Sequence, residues 1–271
     1  MMCDCCITEI FELCTNFKYM NTKKLIIYIS CLLVALMGVF GYWYYGVSQV
    51  KAPEVVETPR VFTKETDAVT INITYPTIPG TTEGVARANL ALQTALDKRI
   101  AEFEKEADIS MRVDTGFPKD IKSSVTGSPA VEEKNNRYIA LVMGMEWYTR
   151  GAAHPAHTMD VYVYDYKADK LLSTEDLFLP GADYLPKLSR LAREDLRAQA
   201  QEGDMGFNYN ESMVEDGTLP RKENFSLMLP LKDGLMIYFT EYQVAPYAAG
   251  PQQVSIPYSK LEGLFNKDLL Q

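Results

Sequence analysis

The run Leu25 to Val47 is almost wholly apolar and follows directly on Lys23 and Lys24. At ~1.5 Å per helical residue it reaches ~35 Å, enough to cross a hydrocarbon core of ~30 Å with some tilt. Near its end stand Tyr42, Trp43, Tyr44 and Tyr45, rings suited to a membrane interface. Lys18, Lys23 and Lys24 precede the run, whereas the next basic residues are Lys51 and Arg60. The positive-inside bias therefore puts the N-terminus in the cytosol and the bulk of the chain outside. The expected order is a cytosolic stub at 1–24, a transmembrane anchor at 25–47 and an outward part beyond it. The tract from Met20 to Lys24 resembles the head of a prokaryotic export signal and makes Met20 an alternative start. No small-x-small site closes the run, so the anchor is expected to stay uncleaved in the cell membrane.

All five cysteines, Cys3, Cys5, Cys6, Cys14 and Cys31, lie in or before this run. The outward part must then fold without disulfides, and its ~220 residues suffice for one large core or two small ones. Residues 1–47 carry Asp4, Glu9 and Glu12 against Lys18, Lys23 and Lys24, a balance of zero, so the whole formal charge of −9 belongs to residues 48–271. An acidic outward part disfavours nucleic acid and would steer in a cationic partner.

Residues 48–66, with Pro53 and Pro59 among charged and small side chains, read as a stalk. From Val69 to Tyr75 the apolar residues alternate, the period of a half-buried strand, and Pro76 ends it. After Thr82 the period changes: Val85, Ala88, Leu92, Leu96, Ile100 and Phe103 define an amphipathic helix of about six turns. Arg137 to Thr149 and His157 to Tyr166 read as paired strands, and Ser173 to Asp176 as the start of a short helix. Leu188, Leu191, Ala192 and Leu196 mark a further helix ending near Gly203. Phe225 to Leu229 and Leu235 to Tyr242 form a hairpin through Lys232-Asp233-Gly234, followed by a short strand at Val254 to Ile256 and a terminal helix near Ser259 to Leu264. Helices and strands interleave without a regular βαβ beat. The fold class is α+β, with two lobes, 67–135 and 136–271, of mainly antiparallel sheet with packed helices.

Three stretches together resemble a bacterial envelope domain of unknown function: Arg150-Gly151-Ala152-Ala153-His154-Pro155, Lys170 to Phe178, and Glu241 to Gly250 continuing to Ile256-Pro257-Tyr258. The resemblance spans roughly 136–264, and the preceding lobe is similar to the domain that often comes before it. This pair occurs in the ectodomain of RsiV-type lysozyme-binding anti-sigma factors and in PdaC-type deacetylases. The resemblance implies work at the cell wall. An anti-sigma factor would need a longer cytosolic segment than 24 residues, and no deacetylase domain is expected after Gln271.

The only histidines are His154 and His157. As metal ligands they would need a further converging donor, and His154 is instead expected to bond neighbouring backbone in its turn. No metal or cofactor is expected. No Gly-x-Ser-x-Gly elbow and no outward cysteine offers a nucleophile, so no catalytic residue is assigned and the chain is expected not to be an enzyme. Gly151 and Gly250 are expected to serve backbone geometry. Of the tyrosines Tyr238, Tyr242, Tyr247 and Tyr258, Tyr247 stands out as an exposed anchor, flanked by Pro246 and Ala248-Ala249-Gly250. The expected binding residues are Tyr247, His154 and Arg150, all from the resembled motifs. The function expected is a membrane-anchored extracytoplasmic binding or sensing domain, its partner lysozyme or cell-wall glycan. The alternatives are an accessory subunit or enzyme acting on peptidoglycan, with a metal at His154 and His157, or a structural envelope module.

Overall fold

Val69, Ile71 and Ile73 alternate with polar residues and turn one apolar edge inward, and a single long helix covers it. The computed structural model describes residues 60–113, 116–118, 120–202 and 209–270. The run Leu25 to Val47, the stub before it, the five cysteines and residues 48–59 of the expected stalk lie outside these. Among the described residues no helix is long and apolar enough to cross a membrane.

Six strands form one mixed sheet in the order of the chain: β1 (Val61–Glu65), β2 (Val69–Thr74), β3 (Ser123–Lys134), β4 (Tyr138–Tyr148), β5 (Ala156–Asp165) and β6 (Lys170–Leu171). Neighbours are antiparallel except β2 and β3, which run parallel because helix α1 (Glu83–Arg112) carries the chain back between them. Thr82 caps α1 by accepting from the Val85 amide at 3.2 Å. The residues expected on its inner face are buried, and Ala107 extends that face, so the helix runs about two turns further than its sequence period suggested. Asp169, in the β5–β6 turn, accepts from the Gly84 amide at 3.0 Å and ties the helix start to the sheet. A Cβ on Gly84 would lie 2.2 Å from the Asp169 carbonyl oxygen, so this approach requires glycine.

A three-stranded antiparallel sheet, β7 (Met228–Pro230), β8 (Gly234–Phe239) and β9 (Gln252–Pro257), packs with helices α2 (Leu185–Glu202) and α3 (Glu211–Gly217) around a second core. Leu188, Leu191, Ala192 and Leu196 of α2 meet Leu235, Ile237, Val254 and Ile256 there.

Two features differ from the sequence reading. Residues 61–65 are not stalk: β1 pairs along its whole length with β2, and Phe62 packs on the α1 core. The large sheet also runs straight through the position expected to separate the lobes, since β3 and β4 form a hairpin across residues 135–137. β3 was unreadable as a strand because Ser, Thr, Gly, Pro and Glu dominate it and only Ser123 and Val125 are fully buried.

The two faces of the large sheet have different fates. Odd-numbered residues of β4, from Ile139 to Trp147, face α1. On the opposite face Tyr138, Ala140 and Val142 pack with Val163 and with Leu229 of β7. Farther along that face, where the small sheet no longer covers it, stand Gly144 and Glu146.

Candidate functional site

The uncovered end of this face is the floor of a hollow. Strand register places Asn72, Thr126, Glu146 and His157 in one transverse row, and Ser128, Gly144 and Met159 in the next. Four strands at ~4.8 Å spacing give the row a span of ~14 Å. At Gly144 an added Cβ would meet nothing within 4 Å, so the floor there is bare backbone. Thr240, Glu241 and Pro251, from the loop joining β8 to β9, form the wall. The hollow measures about 640 Å³ and is continuous with a second of about 510 Å³ that shares His157, Thr158, Met159, Thr240 and Glu241. β6 pairs only with Tyr164 and Asp165, so the first part of β5 has an open edge onto which this second hollow extends.

The loop is shaped by its own anchors. Val244 and Ala245 are buried in the small-sheet core, and the Gln243 side-chain Nε2 donates to the Gly217 and Asn224 carbonyls, each at 3.1 Å. With these residues turned inward, Tyr242 is thrown outward. It is 59% exposed and holds a φ of 65°, a conformation a bulky side chain rarely adopts. Such outliers concentrate at ligand clamps. Gly250, at φ 68°, closes the loop.

His157 joins floor to wall. Its Nδ1 lies 2.8 Å from Glu241 Oε1 and its Nε2 lies 3.2 Å from Glu146 Oε2. The ring satisfies both carboxylates only when both nitrogens carry protons; a neutral tautomer leaves one oxygen facing a lone pair. Glu241 is 12% exposed, His157 38% and Glu146 50%, so the inner carboxylate is shielded and the outer one is open to the groove. Tyr247 lies beside them, half-buried, its ring 4.1 Å from that of His154, 5.6 Å from Tyr242 and 6.2 Å from His157. Its hydroxyl donates to the Pro155 carbonyl at 3.1 Å. Burial, then Glu241, Tyr242 and Glu146, hold this phenol above the ordinary tyrosine range, so it stays a donor at neutral pH.

Of the three expected binding residues, the fold brings Tyr247 and His154 together and sets Arg150 apart. Tyr247 is partly covered by His154 rather than fully exposed as expected; the exposed ring of this loop is that of Tyr242. His154 lies 2.8 Å through Nδ1 from the Pro155 carbonyl oxygen, a local bond of the kind its turn suggested. Arg150 is only 5% exposed. Its guanidinium donates to the carbonyls of Ser110 (2.9 Å), Pro118 (3.2 Å) and Phe117, while its amide donates to Ser123 Oγ at 3.0 Å. It therefore gathers the segment after α1 against the head of β3. Among the described residues no group of three histidine, cysteine or acidic side chains is placed to hold a metal. Glu146 was not singled out from sequence; Glu241 and Tyr242 stand in the resembled motif, and Tyr242 was among the tyrosines named, but neither was assigned to the site. The resembled motif was the available signal for Glu241 and Tyr242; Glu146 carried none.

Residues 175–259 match the model of a family described as a protein of unknown function, DUF3298. The chain carries a DUF3298-type domain. The match includes Glu241, Tyr242 and Tyr247 of the loop but not Glu146, His154 or His157, so the groove is shared between the DUF3298 segment and the strands before it. The chain is 24% identical over 247 residues to the peptidoglycan-N-acetylmuramic acid deacetylase PdaC of Bacillus subtilis (strain 168), which covers 88% of this chain and 50% of that protein. The chain thus spans about half the length of that curated relative. Among solved structures it resembles a DUF3298 family protein of Pseudomonas aeruginosa PAO1 with a TM-score of 0.53 at 15% identity, covering 80% of this chain and 97% of the other. A DUF3298 family member from Bacteroides fragilis NCTC 9343 aligns with a TM-score of 0.47 at 21% identity, over 74% of this chain and 86% of that one. The expectation that the chain is not an enzyme is corrected by these findings: the curated relative aligned along most of this chain is named for a deacetylase activity.

Proposed function

We propose that this chain works in peptidoglycan modification at the cell envelope, engaging a stretch of glycan in the groove between β2–β5 and the β8–β9 loop. The observation that carries this reading is the groove's composition. Asn72, Thr126, Ser128 and Thr240 offer hydroxyl and amide partners along an open floor and wall, and Tyr242 presents a ring at the rim. Sugars need that combination, with ring faces stacked on an aromatic and hydroxyls in hydrogen bonds. The name of the aligned relative supports peptidoglycan as the source of the glycan. The apolar run Leu25 to Val47 supports a single-pass anchor with the groove outside the membrane.

The test is calorimetric titration of the full-length chain, held in mild detergent, with peptidoglycan oligosaccharides. Saturable binding is expected, weakened about ten-fold by Tyr242→Ala. Absence of heat with every fragment at millimolar concentration would remove the reading. A second reading, a cationic lysozyme-type protein as partner, is favoured by the charge of −9 carried outside the first 47 residues. Lysozyme titrated under the same conditions checks it, and binding should weaken as salt is raised.

A further inference from the structure

We infer that the groove selects amino sugars whose nitrogen is free and protonated over those that are N-acetylated or carry a carboxylate. This rests on the glycan reading above and deepens it. Among the described residues, the charges lining the larger hollow are Glu146 and Glu241, with no lysine or arginine, and His157 is its one basic side chain. In the adjoining hollow Arg99 is present, but its guanidinium is occupied by Asp160 and by Thr158 Oγ1 at 2.9 Å, with its face over Trp147. The larger hollow therefore carries an excess of acidic over basic side chains.

The two carboxylates differ in availability. Glu241 is shielded and held by His157 at 2.8 Å, whereas Glu146 is half-exposed and reaches the same ring at 3.2 Å through one oxygen. A carboxylate has about four lone-pair sites, so Glu146 can take an ammonium donor without releasing His157. It stands beside bare Gly144, where a sugar ring can approach the sheet closely. Tyr242 and Tyr247, 5.6 Å apart, add ring faces that attract a cation. An N-acetyl group removes that charge, and a sugar bearing a lactyl or peptide carboxylate would bring a like charge toward Glu146 and Glu241. The acidic character of the whole chain steers in the same direction.

The experiment titrates the full-length chain in mild detergent with β-1,4-linked glucosamine oligomers and with their fully N-acetylated counterparts of equal length, at low and high salt. The free-amine oligomer is expected to bind about two- to five-fold tighter, the ratio one half-exposed ion pair supplies. That ratio should fall toward one at high salt and in Glu146→Gln, a change that keeps the shape of a half-exposed side chain. Equal or tighter binding of the acetylated oligomer to the unaltered chain would overturn the inference and leave the glycan reading standing. Binding of neither oligomer, nor of any peptidoglycan fragment, would overturn both.

Discussion

His157 Nδ1 lies 2.8 Å from Glu241 Oε1, across 84 residues of chain. The histidine stands on β5 of the large sheet, and the glutamate on the loop that leaves β8 of the small one. Because His157 also reaches Glu146 on β4 at 3.2 Å, one imidazole ties the groove's wall to two strands of its floor. The position of the tyrosine-bearing loop over the sheet therefore depends on a polar contact as well as on apolar packing.

Removal of this tie should be measurable. His157→Phe leaves Glu241, only 12% exposed, without its partner, and is expected to destabilise the fold by about 1–3 kcal/mol. A double-mutant cycle with Glu241→Gln, read by urea denaturation, should give a coupling of about 0.5–2 kcal/mol. Strict additivity would show that the contact does not hold the loop.

Gly144 allows the groove to be filled without disturbing the core. An added Cβ meets nothing within 4 Å, so Gly144→Leu should change stability by no more than about 0.5 kcal/mol while placing a side chain on the groove floor. Glycan affinity should fall about ten-fold or more. Unchanged affinity in a normally folded variant would move the ligand away from this floor.

Arg150 separates structure from recognition. Its guanidinium holds three carbonyls, one in the last turn of α1 and two in the segment after it, so Arg150→Met is expected to cost about 2–4 kcal/mol by leaving them unpaired. At a temperature where the variant is folded, its glycan titration should match that of the unaltered chain. A selective loss of binding with full stability would return Arg150 to the site.

Alkaline pH should unfold the chain through its buried and partly buried phenols. Burial, first among the causes, raises Tyr138 and Tyr162 from 10.0 to about 12, and raises Tyr258 as well. A folded value above the unfolded one means the native state holds the proton more tightly. The stability this provides is complete below pH 10 and is lost as pH rises toward about 12. Tyrosinate absorbance and circular dichroism should change together in that window. Smooth ionisation near pH 10 with the fold intact would show these phenols to be accessible.

Much of the architecture was legible because local periodicity reports which face of an element is covered. The alternation at Val69 to Thr74, the three-to-four spacing from Val85 to Phe103 and the Lys232-Asp233-Gly234 turn each appear where the residues suggested. β1 and β3 were missed for the complementary reason: an edge strand and a strand of small polar residues bury too little to leave a pattern. The site was half legible. Tyr247 and His154 were picked out by motif, and Glu241 and Tyr242 lay in that motif without an assigned role, but Glu146 looks like any strand residue until the chain is folded.

The sequence by itself determined the element types, the acidic charge and the α+β class, because each depends on neighbours within a few residues or on composition alone. Only the tertiary structure decided that β2 and β3 run parallel, that Arg150 points inward and that Glu146 lies opposite His157 beneath Glu241. Strand register and loop placement are contacts between residues tens of positions apart. A one-residue change of register would turn Glu146 to the other face of the sheet and empty the groove of its outer carboxylate.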